Sequence, residues 1–151
     1  MECNEPLVQL IGPEEPVWAS GTFYGDGSGG LFTSHPRIRR CGVSVVCVDA
    51  EGVLRFGASI NLPGNIQTVP RAEYYAFYYL IKNIAPNSKV EYVTDHQPLA
   101  KMFSKGRAVA ARCLNHDLLL SVYDFIQSKH LEVSIRWIPA HVKINDDGSV
   151  P

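Results

Sequence analysis

Long apolar runs, paired cysteines and charge of a single sign are all missing from this 151-residue chain. No window approaches the roughly 18 consecutive apolar residues of a membrane span, and the N-terminal MECNEPLVQLIGPEEP is acidic where a secretory signal would be basic. The chain therefore reads as soluble, with no membrane partner and an intracellular location, nuclear or cytoplasmic. Its four cysteines, Cys3, Cys41, Cys47 and Cys113, show no CxxC spacing. That argues against a zinc site and a disulfide framework and leaves reduced thiols. The nucleotide-cradling pattern GxxxxGK[ST] is absent, and so are internal repeats and low-complexity segments.

The formal net charge is −1, too little to drive strong binding of a polyanion. The charge is unevenly placed, however. Residues 1–16 hold four glutamates and no basic residue, which reads as an acidic extension or linker. Residues 17–141 hold thirteen Lys and Arg against nine Asp and Glu, enough for a local basic patch. Nucleic acid is permitted as a partner without being required. The length suits one domain, taken as residues 17–151, able to bury a real core.

The order of elements follows from hydrophobic period and turn residues. Val17–Tyr24 reads as a strand broken by GDGSGG, CGVSVVCV over Cys41–Val48 as a second, and Val53–Leu62 as a third after the turn DAEG. A helix over Val69–Ala85 is entered through Thr68 and Pro70, and AEYYAFYYLI is apolar nearly all round, so that helix must be heavily buried. Lys89–Thr94 is a fourth strand and Gln97–Phe103 a short helix. Leu114–Gln127 is an amphipathic helix with Leu114, Leu118, Val122, Phe125 and Ile126 on one side, and Leu131–Pro139 is a fifth strand. This order predicts an α/β fold: a mixed five-stranded sheet, made of a three-strand antiparallel meander plus two parallel strands, with helices on both faces.

Three acids stand in awkward places for acids. Asp26 closes the first strand, Asp95 closes the fourth, and Glu73 lies in the first turn of the buried helix. Such positions rarely hold carboxylates unless something cationic compensates them. In a sheet with parallel strands, ligands bind outside the carboxyl ends of those strands, so Asp26, Asp95 and His141, which closes the fifth strand in RWIPAH, would share one edge. Each residue has an ordinary reading as well. Asp26 could be a turn aspartate before Gly27, Glu73 could complement the helix dipole, Asp95 could cap the next helix, and His141 could be a hydrogen-bonded surface or core histidine. Clustered acids suit Mg²⁺, which takes carboxylate oxygens and leaves positions for water and phosphate. Two such ions serve in-line phosphoryl displacement. Glycines 25, 27, 29 and 30 around Asp26 and Ser28 would let a phosphodiester approach closely, or would simply form a hairpin turn.

DGSGG after a first strand, RAE opening the first helix, VTDHQPL after the fourth strand and WIPAH closing the fifth resemble, in this order, ribonuclease H. The resemblance covers residues 17–141, and the RAE and WIPAH forms are closest in style to ribonuclease H domains of retroelement reverse-transcriptase polyproteins. It implies an endonuclease that cuts the RNA strand of an RNA/DNA hybrid with two Mg²⁺ ions, Mn²⁺ being a substitute. Asp26, Glu73 and Asp95 would then be both catalytic and metal-binding, and His141 would assist proton transfer or product release. Gly27, Ser28, Gly29, Arg71 and Gln97 would contact the hybrid, read through its minor groove. As an isolated domain it would be monomeric, within a larger polyprotein.

Some features depart from that pattern. Family members carry a fourth carboxylate about ten residues after the histidine, where this chain reaches Pro151, and Asp146 and Asp147 read as the turn NDDGS. Val69 and Pro70 replace hybrid-contacting asparagines, and the basic handle helix is missing, leaving Lys101, Lys105, Arg107 and Arg112 as a modest basic stretch. A catalytically degenerate module that binds nucleic acid or protein without cleavage is therefore the alternative.

Overall fold

The computed structural model describes residues 7–28 and 41–139. Along the chain these form β1 (Val8–Ile11), β2 (Gly21–Ser28), β3 (Gly42–Val48), β4 (Leu54–Asn61), α1 (Val69–Asn83), β5 (Lys89–Thr94), α2 (Gln97–Lys105), α3 (Arg107–Ala110), α4 (His116–Lys129) and β6 (Glu132–Trp137). The strands make one sheet in the order β1-β4-β3-β2-β5-β6. β1 to β4 pair antiparallel, while β5 runs parallel to β2 and β6 parallel to β5.

The meander and the two parallel strands follow the predicted order, but the first strand runs Gly21–Ser28 rather than Val17–Tyr24, so the GDGS read as its break lies inside it, and the sheet has six strands rather than five. The added β1 lies inside the stretch read as an acidic extension, paired with β4 from Val8 opposite Ile60 to Ile11 opposite Gly57. Its four residues at the sheet edge leave Val8 and Leu10 exposed, so no strong alternation marked it. Glu14 ties the following segment down through an ion pair to Arg55 at 3.2 Å.

Side-chain alternation divides the sheet into two unlike faces. Phe23, Val43, Val45, Phe56, Ile60 and Tyr92 are buried on one, beneath α1. α1 forms as expected, with Thr68 as its cap accepting from the Arg71 N–H at 3.2 Å and a proline in its first turn. Phe77 on α1 packs on Tyr92 at 4.7 Å and on Phe103 of α2 at 5.2 Å, and Phe103 stacks on Tyr123 of α4 at 5.3 Å. The described helices thus share one face, where cover on both was expected. The other face carries Tyr24, Asp26, Ser44 and Ser59.

α4 starts two residues later than the periodicity suggests. Asn115, left-handed at φ 67°, is its cap, and Leu114 falls outside the helix, 83% exposed. Leu119 takes its place beside Leu118 and Val122 in the core. Lys129 at the far end donates to the carbonyls of Ile81, Lys82 and Ile84, satisfying the C-terminal turn of α1. Cys41 and Cys47 are buried free thiols and Cys113 a half-buried one. No helix among the described residues is long and apolar enough to cross a membrane.

Candidate metal centre

Parallel register sets the first two acids side by side. β2 and β5 align with Tyr24 opposite Val93, and two residues further along each chain stand Asp26 and Asp95. Asp26 lies opposite Ser44 on β3, which lies opposite Ser59 on β4, so a short polar row crosses the open face beside it. With Gly42 and Val43 these residues line a recess of about 110 Å³. Asp95 follows the last residue of β5, and its carbonyl accepts the indole N–H of Trp137 at 3.2 Å, which fixes the ends of β5 and β6 together.

Glu73 arrives from above. It is the fifth residue of α1, just past the first turn in which it was expected, and that turn contains no acid. Its approach depends on Gly27. A Cβ there would lie 2.7 Å from Ala72 Cβ and 2.8 Å from the Glu73 nitrogen. Without one, α1 sits directly on β2, and the Gly27 N–H donates to Glu73 Oε1 at 3.0 Å. Gly27→Ala is accordingly expected to destabilise the fold by about 1–3 kcal/mol or more and to displace Glu73, checked by urea unfolding and by a lost response of the melting temperature to Mn²⁺.

Ligand oxygens of Asp26, Glu73 and Asp95 lie within 4.8 Å of one another, so the three acids could hold a metal ion. The ordinary readings of these acids do not match the geometry. Asp26 belongs to a strand that stays paired through Ser28 opposite Gly42, not to a turn. Glu73 is beyond the first helical turn, and the cap of α2 is His96, which makes no side-chain capping bond. What remains is an electrostatic conflict. Burial pushes the Glu73 carboxyl up to about 8, against the Gly27 hydrogen bond and with help from the charges of Asp26 and Asp95. Asp26 is raised as well, chiefly by desolvation, against its contact with the Glu73 side chain, and further by the charge of Asp95. Glu73 is 3% exposed and its Oε2 has no partner. A divalent cation fits this donor set: it supplies the missing positive charge and a partner for the orphaned oxygen.

The other predicted site residues divide. Gly27 serves the centre, but its N–H is used by Glu73. Ser28 ends β2. Gly29 and His141 lie outside the described residues. Arg71 points away from the acids: its guanidinium grips Asp117 of α4 through two contacts of 2.8 Å and reaches Asn115 at 3.3 Å. That pairing holds the Asp117 carboxyl below the usual range. Of the basic stretch, Arg107 is likewise paired, with Asp124 at 2.7 Å.

Gln97 begins α2 and is exposed. Together with Lys101, Ser104 and Lys105 on one face of that helix, and with Ile135 and Trp137 on β6, it lines a groove of about 600 Å³. Lys101 and Lys105 form no ion pair among the described residues, and Trp137 is 43% exposed. Sequence reading missed the groove, because the partners lie on elements thirty residues apart. It also missed Tyr92, Ser44 and Ser59, which no chemical motif marks.

No family model matches the chain, and no curated protein matches it. Its structure is similar to that of a foamy virus protease-reverse transcriptase solved in complex with an RNA/DNA hybrid, with a TM-score of 0.62 and 17% identity over 92% of this chain. The chain spans 20% of that protein's length. A likeness at that identity speaks for the fold, and the fold is the mixed α/β, ribonuclease H-like one that the order of motifs implied.

Proposed function

We propose that this chain is a divalent-metal-dependent endonuclease domain that hydrolyses the RNA strand of an RNA/DNA hybrid. The observation that carries the reading is the convergence of Asp26, Glu73 and Asp95 at the carboxyl edge of two parallel strands, with ligand oxygens within 4.8 Å. The similar viral protein adds the substrate class, since it was solved with a hybrid bound. Asp26, Glu73 and Asp95 would hold Mg²⁺ or Mn²⁺, two ions in the full site, which would supply an activated water and stabilise charge on the leaving oxygen.

The protein's own residues account for the rest of the reading. Gly27 lets α1 and its glutamate reach the sheet and keeps Glu73 Oε1 in place by one hydrogen bond. Trp137 locks the Asp95 backbone. His141, four residues past Trp137, is assigned proton transfer or help in product release. Gln97 is assigned a minor-groove contact, while Arg71 is assigned to holding α1 and α4 together rather than to the hybrid. The likeness to one part of a larger viral protein supports a place within a polyprotein.

The test is cleavage of a labelled RNA/DNA hybrid with Mg²⁺ or Mn²⁺, beside double-stranded RNA and double-stranded DNA. Metal-dependent cleavage confined to the RNA strand of the hybrid is expected, and equal background on all three substrates would sink the nuclease reading. Retained hybrid binding without cutting would instead select the degenerate module. The groove beside Asp95 gives a separate prediction. Lys101 and Lys105, one helical turn apart, offer two cations to a backbone leaving the site. The Lys101→Ala, Lys105→Ala double variant is expected to bind the hybrid more weakly and to lower the slope of log affinity against log salt by about two. Fluorescence anisotropy across a salt series reads both.

A further inference from the structure

Two side-chain polar atoms are buried without a hydrogen-bond partner among the described residues: Glu73 Oε2 and the hydroxyl of Tyr92. They face the same short stretch of β2. A Cβ on Gly25 would fall 1.6 Å from the Tyr92 hydroxyl oxygen, so the phenol head occupies the space a side chain would take. Two residues on, Gly27 leaves room for Glu73 and donates to its other oxygen. Gly25 and Gly27 point to the same face of the strand, so Tyr92 and Glu73 stand over neighbouring positions of one face, where one water molecule can join polar groups about 5 Å apart.

Their chemistry is complementary. A phenol donates, a carboxyl oxygen can accept with or without a proton on its group, and each atom lacks a partner. Tyr92 is fully buried, and its ring is fixed by Phe77 at 4.7 Å. Burial keeps the hydroxyl protonated, as do the charges of Glu73 first and then Asp26 and Asp95, so it remains a donor. Leaving both atoms unpaired would cost the full desolvation of each, and native interiors rarely leave two such groups beside one another.

We propose that Tyr92 is a positioning residue of the acidic centre: its hydroxyl donates through one buried water to Glu73 Oε2. Glu73 is then fixed by the Gly27 N–H on one oxygen and by Tyr92 beyond the other. Anchoring of this kind sets the direction of a ligand oxygen, and loss of an outer partner of a metal ligand commonly weakens metal binding 10- to 100-fold. The importance for metal binding rests on the nuclease reading, whereas the link between Tyr92 and Glu73 does not.

Tyr92→Phe keeps the ring and removes only the hydroxyl. In metal-free protein at pH 7 it is expected to lower the melting temperature by about 2–4 °C, and the same substitution in a Glu73→Leu background is expected to have no such effect. Calorimetric titration with Mn²⁺ should give a dissociation constant about tenfold higher for Tyr92→Phe than for the wild type. A melting temperature at or above wild type, with the same shift in both backgrounds, would show an orphan hydroxyl and overturn the proposal. Thermal coupling with unchanged Mn²⁺ affinity would overturn the positioning role. Coupling in a protein that takes up no Mn²⁺ at all would uphold the link and count against the nuclease reading instead.

Discussion

Asp26→Asn is expected to lower the rate of hybrid cleavage by about three orders of magnitude, roughly 4 kcal/mol of transition-state stabilisation, while raising the melting temperature of the metal-free protein. Both effects come from one cause. Asp26 is the only one of the three acids on the central strand β2, opposite Ser44 and two residues past Tyr24, as Asp95 is two residues past its partner Val93. An amide keeps the shape but removes the negative charge that would hold a cation, so chemistry that depends on bound metal falls away. Without metal that charge is a burden: desolvation and the neighbouring Asp95 both raise the Asp26 carboxyl, and Asp26 in turn raises Glu73. Each kcal/mol of relief is worth about 2–4 °C in a chain of this size. Quantitative single-turnover cleavage and thermal melts with and without Mn²⁺ check the pair. A variant that cuts at the wild-type rate, or one that melts lower with its far-UV spectrum lost, would contradict this account of the site.

That opposition between stability and proposed activity explains which parts of the molecule were legible beforehand. Where local chemistry and global fold agree, the sequence speaks clearly: Thr68 and Pro70 start α1, the β-branched run of β3 alternates, and the turn DAEG separates β3 from β4. Asp26, Glu73 and Asp95 were legible for the opposite reason, because each acid violates its local pattern. Their convergence then required only that β2 and β5 be parallel neighbours.

What could not be read depends on partners distant in sequence or on weak local signals. β1 is four residues on an edge, stabilised by register with β4 and by the Glu14 to Arg55 contact, so no strong alternation marked it within its glutamate-rich surroundings. Arg71 sits in a motif that suggests a ligand contact, yet Asp117, 46 residues away, claims its guanidinium. Glu73 stands at the start of the second turn of α1, and only the close packing of α1 on Gly27 decides its height above the sheet. Tyr92 looked like one more strand aromatic. Only its hydroxyl over Gly25 reveals a second reason for the GDG sequence: the first glycine admits a phenol and the second admits a helix.

Glu73 should also make the metal-free protein lose stability as pH rises, opposite to the usual behaviour of a carboxylate in a salt bridge. Its folded-state value of about 8 lies above the ordinary 4.5. The folded protein therefore holds a proton that the unfolded chain has released, and the stability this confers is fully present below about 4.5 and lost as pH climbs through about 8. His96, lowered from 6.5 by burial, acts in the reverse sense, but only below that value. Asp117, held down by Arg71, is ionised throughout the neutral range. The clean window is thus pH 6.5 to 8, where 1.5 units at 1.36 kcal/mol each give a loss of about 2 kcal/mol, or roughly 4–8 °C in melting temperature. A divalent ion competes with that proton, so the rise in melting temperature on adding Mn²⁺ should grow across the same window, with about one proton released per binding event near its lower end. Glu73→Gln should flatten the metal-free profile, melt higher than the wild type at pH 8, and respond little to Mn²⁺. Thermal melts from pH 6 to 9, with and without the ion, decide the matter: a wild-type profile that is flat or rising through the window would mean that Glu73 is not held protonated against the other two acids.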